Sequence, residues 1–308
     1  MRRGVVAAAL PAVLVVWVLA GCGSTVVRGG PAEGGATADA PARQRAAEVA
    51  AAWPGSAQEK IWKSGYYPVG VPAEWLPQDA FHSGADKDAY QSGRLVLAGG
   101  LPQTFSGLTQ VRWADGSQLT LPLRSADAVF RSLTEGRPGC NDGCERPLKV
   151  TGAEPGTREV STSRGRAEIP VWRFRIAGYA DPFTYPAVES QQPPSGPAKE
   201  VPGARPAAFS SVSADGRTVT AGVAHGSCER VERTEAYETG AAVVLIARVR
   251  STVPPGTVCD LAAHVSPAQF RLAGPLDGRV VLDLATGAPQ VPTGAVDGGP
   301  ARGQDGGQ

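Results

Sequence analysis

The sequence predicts a mainly β (α+β) protein: two small β-rich domains with one short helix, flanked by disordered tails. Three observations carry this. Asp115-Gly116 and Asp215-Gly216 each lie between alternating runs, which is a hairpin signature. Ala241 to Val249 is an unbroken apolar run suited to a central strand. Residues 189–206 are proline-rich and poor in apolar side chains, as a linker between domains would be.

The expected order along the 308 residues starts with a signal peptide at 1–21 and a flexible tether at 22–42. An N-terminal β-rich domain follows at 43–188, then the linker at 189–206. A β-sandwich-like domain at 207–286 and a disordered tail at 287–308 complete it. Arg2 and Arg3 precede an apolar run from Val5 to Leu19, the layout of a secretory signal. A membrane-spanning helix competes with that reading. It wants about 20 apolar residues, and this run is shorter and holds Pro11. Leu19-Ala20-Gly21-Cys22 resembles the bacterial lipobox. The resemblance implies cleavage before Cys22, lipidation of its thiol (palmitate among the acyl chains) and anchoring on the extracytoplasmic face of the cell membrane.

Gly23 to Ala40 lacks apolar periodicity, so it cannot bury enough surface to offset its conformational entropy. Arg43 to Trp53 reads as a short helix, ended by Pro54-Gly55. Trp62, Tyr66, Tyr67, Trp75 and Phe81 crowd a proline-broken stretch. They are either a stacking platform for a sugar or peptide, or rings covering a sheet, and burial is the default for aromatics. Thr109 to Trp113 and Gln118 to Leu123 flank the first Asp-Gly turn. Ser125 then caps a helix over Ala126 to Leu133, stopped by Gly136 and Pro138. Strands are expected at Leu148 to Val150, Thr157 to Thr162 and Ala167 to Ile176. After the linker they return at Phe209 to Val223 about the second turn, at 241–249, at Phe270 to Leu272 and at Val280 to Leu284.

The formal charge is +1, and loss of Arg2 and Arg3 would make it −1. A near-neutral chain has no electrostatic footprint for nucleic acid. The expected partners are the membrane, through Cys22, and an envelope protein or small ligand. Cys140, Cys144, Cys228 and Cys259 remain after Cys22, and outside the cytoplasm disulfides form and persist. Four cysteines allow three connectivities. A domain boundary between the pairs favours Cys140–Cys144 and Cys228–Cys259, since the other two pairings would tie the halves across the linker.

His225-Gly-Ser-Cys228 and Cys259-Asp-Leu-Ala-Ala-His264 also have the ligand types of a tetrahedral zinc site. An oxidising compartment favours the disulfide, which would itself draw His225 and His264 into one neighbourhood. No metal or cofactor is therefore expected. Asp86-Lys87-Asp88 lacks the other ligands of a calcium loop and reads as a solvated turn. Glu229, Glu232, Glu235 and Glu238 read as a solvent face. No nucleophile elbow, zinc-protease or phosphate-loop motif occurs.

From Cys140 to about Pro292 the chain resembles uncharacterised secreted lipoproteins of actinobacteria. The matching pieces are Thr162 to Gly165, Pro170 to Trp172, His225 to Cys228, Cys259, Pro275 to Arg279 and Asp283 to Gly287. The resemblance implies the class and no catalytic residues. The function expected is a lipid-anchored, non-catalytic binding or interaction module. The alternative is an extracytoplasmic hydrolase or metalloprotein using His225 and His264.

Two acyl chains hold a protein on a membrane where one binds only marginally. Cys22→Ser is therefore expected to move the protein from the membrane to the soluble fraction on ultracentrifugation. A serine variant that stays with the membrane overturns the anchor.

Overall fold

The computed structural model describes residues 40–70, 74–77, 80–103, 107–135, 146–260 and 262–294. Cys22, Cys140 and Cys144, with most of both expected tails, lie outside the described residues. The protein is mainly β, as the alternating runs predict. It has four described helices, two of them at the stretches expected to be helical, 43–53 and 126–133.

Helix α1 (Ala40–Ala52) is alanine-rich and buries Ala42, Ala46, Val49 and Ala50, one stripe at helical spacing. Helix α2 (Ala57–Ser64) begins where Ser56 accepts from the Glu59 N–H, while the Glu59 carboxylate accepts from the Gly55 N–H. That exchange is a capping box displaced by one residue. Helix α3 (Gly84–Gln91) replaces the turn expected at Asp86–Asp88. Ser83 caps it by accepting from the Asp86 N–H, so Asp86 sits in a first helical turn, where the helix dipole favours it.

Strand β1 (Leu95–Leu97) is followed by β2 (Leu108–Trp113) and β3 (Gln118–Pro122), the first predicted hairpin. Its turn is closed by the Asp115 carboxylate, which accepts from the Ser117 N–H and hydroxyl. Helix α4 (Ala126–Thr134) then carries the expected Ser125 cap. Strand β4 (Leu148–Thr162) is one 15-residue strand where two were expected. Pro155 does not break it, because β1 pairs with β4 only at residues 148–150. Among the described residues, that edge of β4 then has no paired strand until Pro68 bridges Thr162, and an edge tolerates a missing N–H.

Strand β5 (Gly165–Ile176) pairs along β4, and β6 (Phe183–Pro186) shares the opposite edge of β5 with β2. The order is β1-β4-β5-β2-β3. Strand β5 serves two cores. Ala167, Ile169 and Val171 pack with Val111, Trp113 and Leu121 on one face. Trp172, Phe174 and Ile176 pack against α3 and α4 on the other.

The C-terminal part contains β7 (Ala204–Arg205), β8 (Ala207–Val212), β9 (Thr218–Gly226) and β10 (Glu229–Glu238). Then come β11 (Ala242–Ser251), β12 (Ala263–Arg271), β13 (Val280–Leu282) and β14 (Pro289–Gln290). One sheet runs β10-β11-β13-β14, with β7 also on β11; the other runs β12-β9-β8. Strand β11 is buried on both faces, as its unbroken apolar run predicts. Ala242, Val244 and Ile246 face α1. Val243, Leu245 and Ala247 face Phe209, Val219 and Phe270 of the smaller sheet. The layers are therefore helix, sheet, sheet. The outer edge of β8 is occupied: Thr293 and Gly294 donate their N–H groups to the Phe209 and Ser210 carbonyls.

Two segments cross the expected boundary. Helix α1, placed by sequence at the start of the first domain, packs on β11 of the second. The proline-rich segment is hydrogen-bonded along its length. Gln191 pairs with Tyr66, Gly196 and Lys199 donate to Thr286 and Ala285, and β7 joins β11.

Phe270 is fully buried between the two C-terminal sheets. Phe270→Ala is expected to cost about 3–5 kcal/mol, read as a fall in the urea midpoint at unchanged slope.

Candidate functional site

The disulfide corner is built by strand register. Cys228 lies in the turn between β9 and β10, and Cys259 in the loop before β12. They form a disulfide with Cα atoms 5.9 Å apart. Strands β9 and β12 pair His225 directly with His264, and the rings sit 5.9 Å apart, 24° from parallel. Cross-strand partners share a sheet face, and this is the inner face that buries Val219, Ala221 and Val223 further along. On β12 the row Phe270, Ala268, Ser266, His264 runs from buried to exposed. The histidines therefore stand at the mouth of the sandwich, where its apolar interior meets solvent.

The His225 ring is held at both nitrogens. Nδ1 lies 2.9 Å from the Gly226 carbonyl, which only accepts, so Nδ1 carries the proton. Nε2, 2.8 Å from the Ser266 hydroxyl, then receives that hydrogen. Glu229 accepts from the Gly226 N–H and pairs with Arg205 at 2.7 Å. Those contacts, with the backbone bond foremost, hold its carboxyl below the usual range. The Ser227 hydroxyl, then the Ala262 N–H and His264, do the same for Asp260. With both sulfurs in the disulfide, no thiolate is available for a Cys2His2 zinc site. Among the described residues, no three His, Cys, Asp or Glu side chains converge as a metal site.

The four glutamates of β10 each face an arginine: Arg205 for Glu229, Arg250 for Glu232, Arg43 for Glu235 and Arg279 for Glu238. The first three are at least partly solvated, as a solvent face would be. The last is not: the Glu238 and Arg279 side chains are 10% and 13% exposed, and Arg279 also donates to the Gly274 and Pro275 carbonyls. That pair fastens the 274–279 turn to the sheet.

A second site is lined by residues between Tyr66 and Pro193, with Val291 of the C-terminal part. A cavity of about 570 Å³ is bounded by Tyr66–Pro68, Glu74, Arg124 and α4, the 186–193 segment and Val291. Arg124 reaches the Ser132 hydroxyl at 3.0 Å and Glu189 at 3.3 Å. Glu74 accepts a hydrogen bond from Tyr90, whose oxygen lies 2.7 Å from the Tyr185 hydroxyl. Burial, reinforced by Tyr185, pushes the Tyr90 hydroxyl far above its ordinary value, so it stays a donor.

The aromatic stretch is not an open platform. Trp62, Tyr66 and Tyr67 are buried, and Arg158 covers Trp75 at 4.6 Å. Sequence reasoning also missed Ser266, which lies 41 residues from His225 and reaches it only through strand register. Among the described residues no helix is long and apolar enough to cross a membrane. No family model, curated protein or solved structure matches this chain.

The disulfide closes a loop with a sequence separation of 31. On the chain-entropy account it stabilises by about 3.7 kcal/mol. Replacing Cys228 and Cys259 together by serine is expected to lower unfolding free energy by about that amount, measured by urea denaturation.

Proposed function

We propose that this protein is a lipid-anchored, extracytoplasmic binding module of the cell envelope, and that the cavity lined by Tyr66, Arg124 and the 186–193 segment is the ligand site. The observation that carries the reading is the cavity itself. At about 570 Å³ it is in the size range of small-ligand sites. Its wall mixes apolar surface with carboxylates, a guanidinium and side-chain amides, which suits a small polar molecule with an apolar face. The anchor rests on the Leu19-Ala20-Gly21-Cys22 resemblance. The Cys228–Cys259 bond supports an oxidising compartment.

A hydrolase is the second reading, favoured by the 2.8 Å approach of the Ser266 hydroxyl to His225. A nucleophile and its base need that reach. In the usual triad a carboxylate orients the base, whereas here the second nitrogen of His225 faces a backbone carbonyl.

Gln192 is exposed and lines the cavity, so a tryptophan there fills the space without disturbing the core. Screening sugars, amino acids and short peptides by thermal shift is expected to find a compound that stabilises the parent protein and not Gln192→Trp. Equal stabilisation of both proteins, or of neither, overturns the assignment of this cavity.

A further inference from the structure

We propose that the mouth of the C-terminal sandwich binds one divalent transition-metal ion, copper(II) most tightly, through the imidazoles of His225 and His264. The proposal is independent of the cavity reading above.

Register supplies the first argument. Direct pairing of β9 with β12 puts both rings on one face, and the Cys228–Cys259 bond fastens the segments on either side of them. Spacing supplies the second. Metal–nitrogen bonds near 2.0–2.1 Å place two adjacent imidazole ligands of one ion with centroids roughly 4.5–5 Å apart, in square-planar as in tetrahedral coordination. The rings stand at 5.9 Å and 24° from parallel, and His264 is exposed, so ligation requires its ring to turn until both lone pairs meet at one ion.

The third argument is the tautomer. A histidine that ligates through one nitrogen almost always donates the other N–H to a carboxylate, carbonyl or water. His225 already does this from Nδ1 to the Gly226 carbonyl. That leaves a lone pair on Nε2, engaged only by a serine hydroxyl free to rotate away. The Glu229 and Asp260 carboxylates beside the pair lend negative potential, although Glu229 shares its charge with Arg205.

Imidazole nitrogens suit copper, nickel and zinc, and affinities for such sites rise to a maximum at copper(II). With two protein ligands the remaining positions belong to water, so binding is expected in the micromolar range rather than the far tighter range of structural zinc.

The test is a calorimetric titration of the full chain, disulfide intact and in detergent, with copper(II) and then zinc(II). One equivalent of copper(II) should bind, more tightly than zinc(II), and paramagnetic resonance should show coupling to two imidazole nitrogens. His225→Ala and His264→Ala should each weaken binding by about tenfold or more. His82→Ala is the control, because His82 stacks on Tyr179 in the other half of the protein and should leave binding unchanged. Circular dichroism and a thiol assay verify that each variant keeps its fold and its disulfide. Copper(II) binding that survives the double histidine variant, or no binding below about 100 μM, overturns the site.

Discussion

Two neighbouring tyrosine rings are buried in two different cores, and the arrangement of this protein depends on them. Successive side chains of an extended backbone point to opposite sides. Tyr66 therefore enters the cluster of Val111, Trp113 and Ile169, while Tyr67 stacks on Trp62 in the cluster of α1 and β11. Each ring is almost wholly buried, and each brings a large apolar area with it. Gly65 makes the second insertion possible, because a Cβ there would come within 2.3 Å of the Tyr67 ring. The dipeptide also forms one wall of the candidate cavity. Fixing the two cores and shaping that cavity are thus the work of the same side chains.

What was legible in the sequence was local. Asp115-Gly116 and Asp215-Gly216 turn because glycine accepts a positive φ and aspartate closes the loop on itself; both hairpins form. The apolar run of β11 has buried neighbours on both faces, and its composition says so directly. Helices α2 and α3 are short and weakly patterned. Their signal is the cap, Ser56 with Glu59 and Ser83 with Asp86, rather than any apolar stripe. The strands expected at Leu148 to Val150 and Thr157 to Thr162 are one strand through Pro155, because whether proline breaks a strand depends on which edge is paired, and pairing is not local.

The site shows the same division. Pairing of Cys228 with Cys259 was expected from the compartment and the domain boundary, and the structure has it, with His225 beside His264. Ser266 and Glu229 were invisible as partners because only the register of β9 with β12 and the tight turn at Gly226 bring them in. The glutamate row was read as solvated, yet Glu238 is enclosed with Arg279. Removing one member of an enclosed pair strands a charge, whereas separating a solvated pair changes little. Four chemically identical residues thus differ in consequence according to their neighbours.

The occupied edge of β8 bears on how the molecule behaves in a crowd. An open strand edge is a row of unsatisfied donors and acceptors, ready to pair with any passing chain. Here Thr293 and Gly294 already cap the Phe209 and Ser210 carbonyls, and Gln290 satisfies the Phe209 N–H. The segment that ends at Gly294 therefore covers part of the β8 edge, and its detachment would leave those carbonyls open to pairing with another chain.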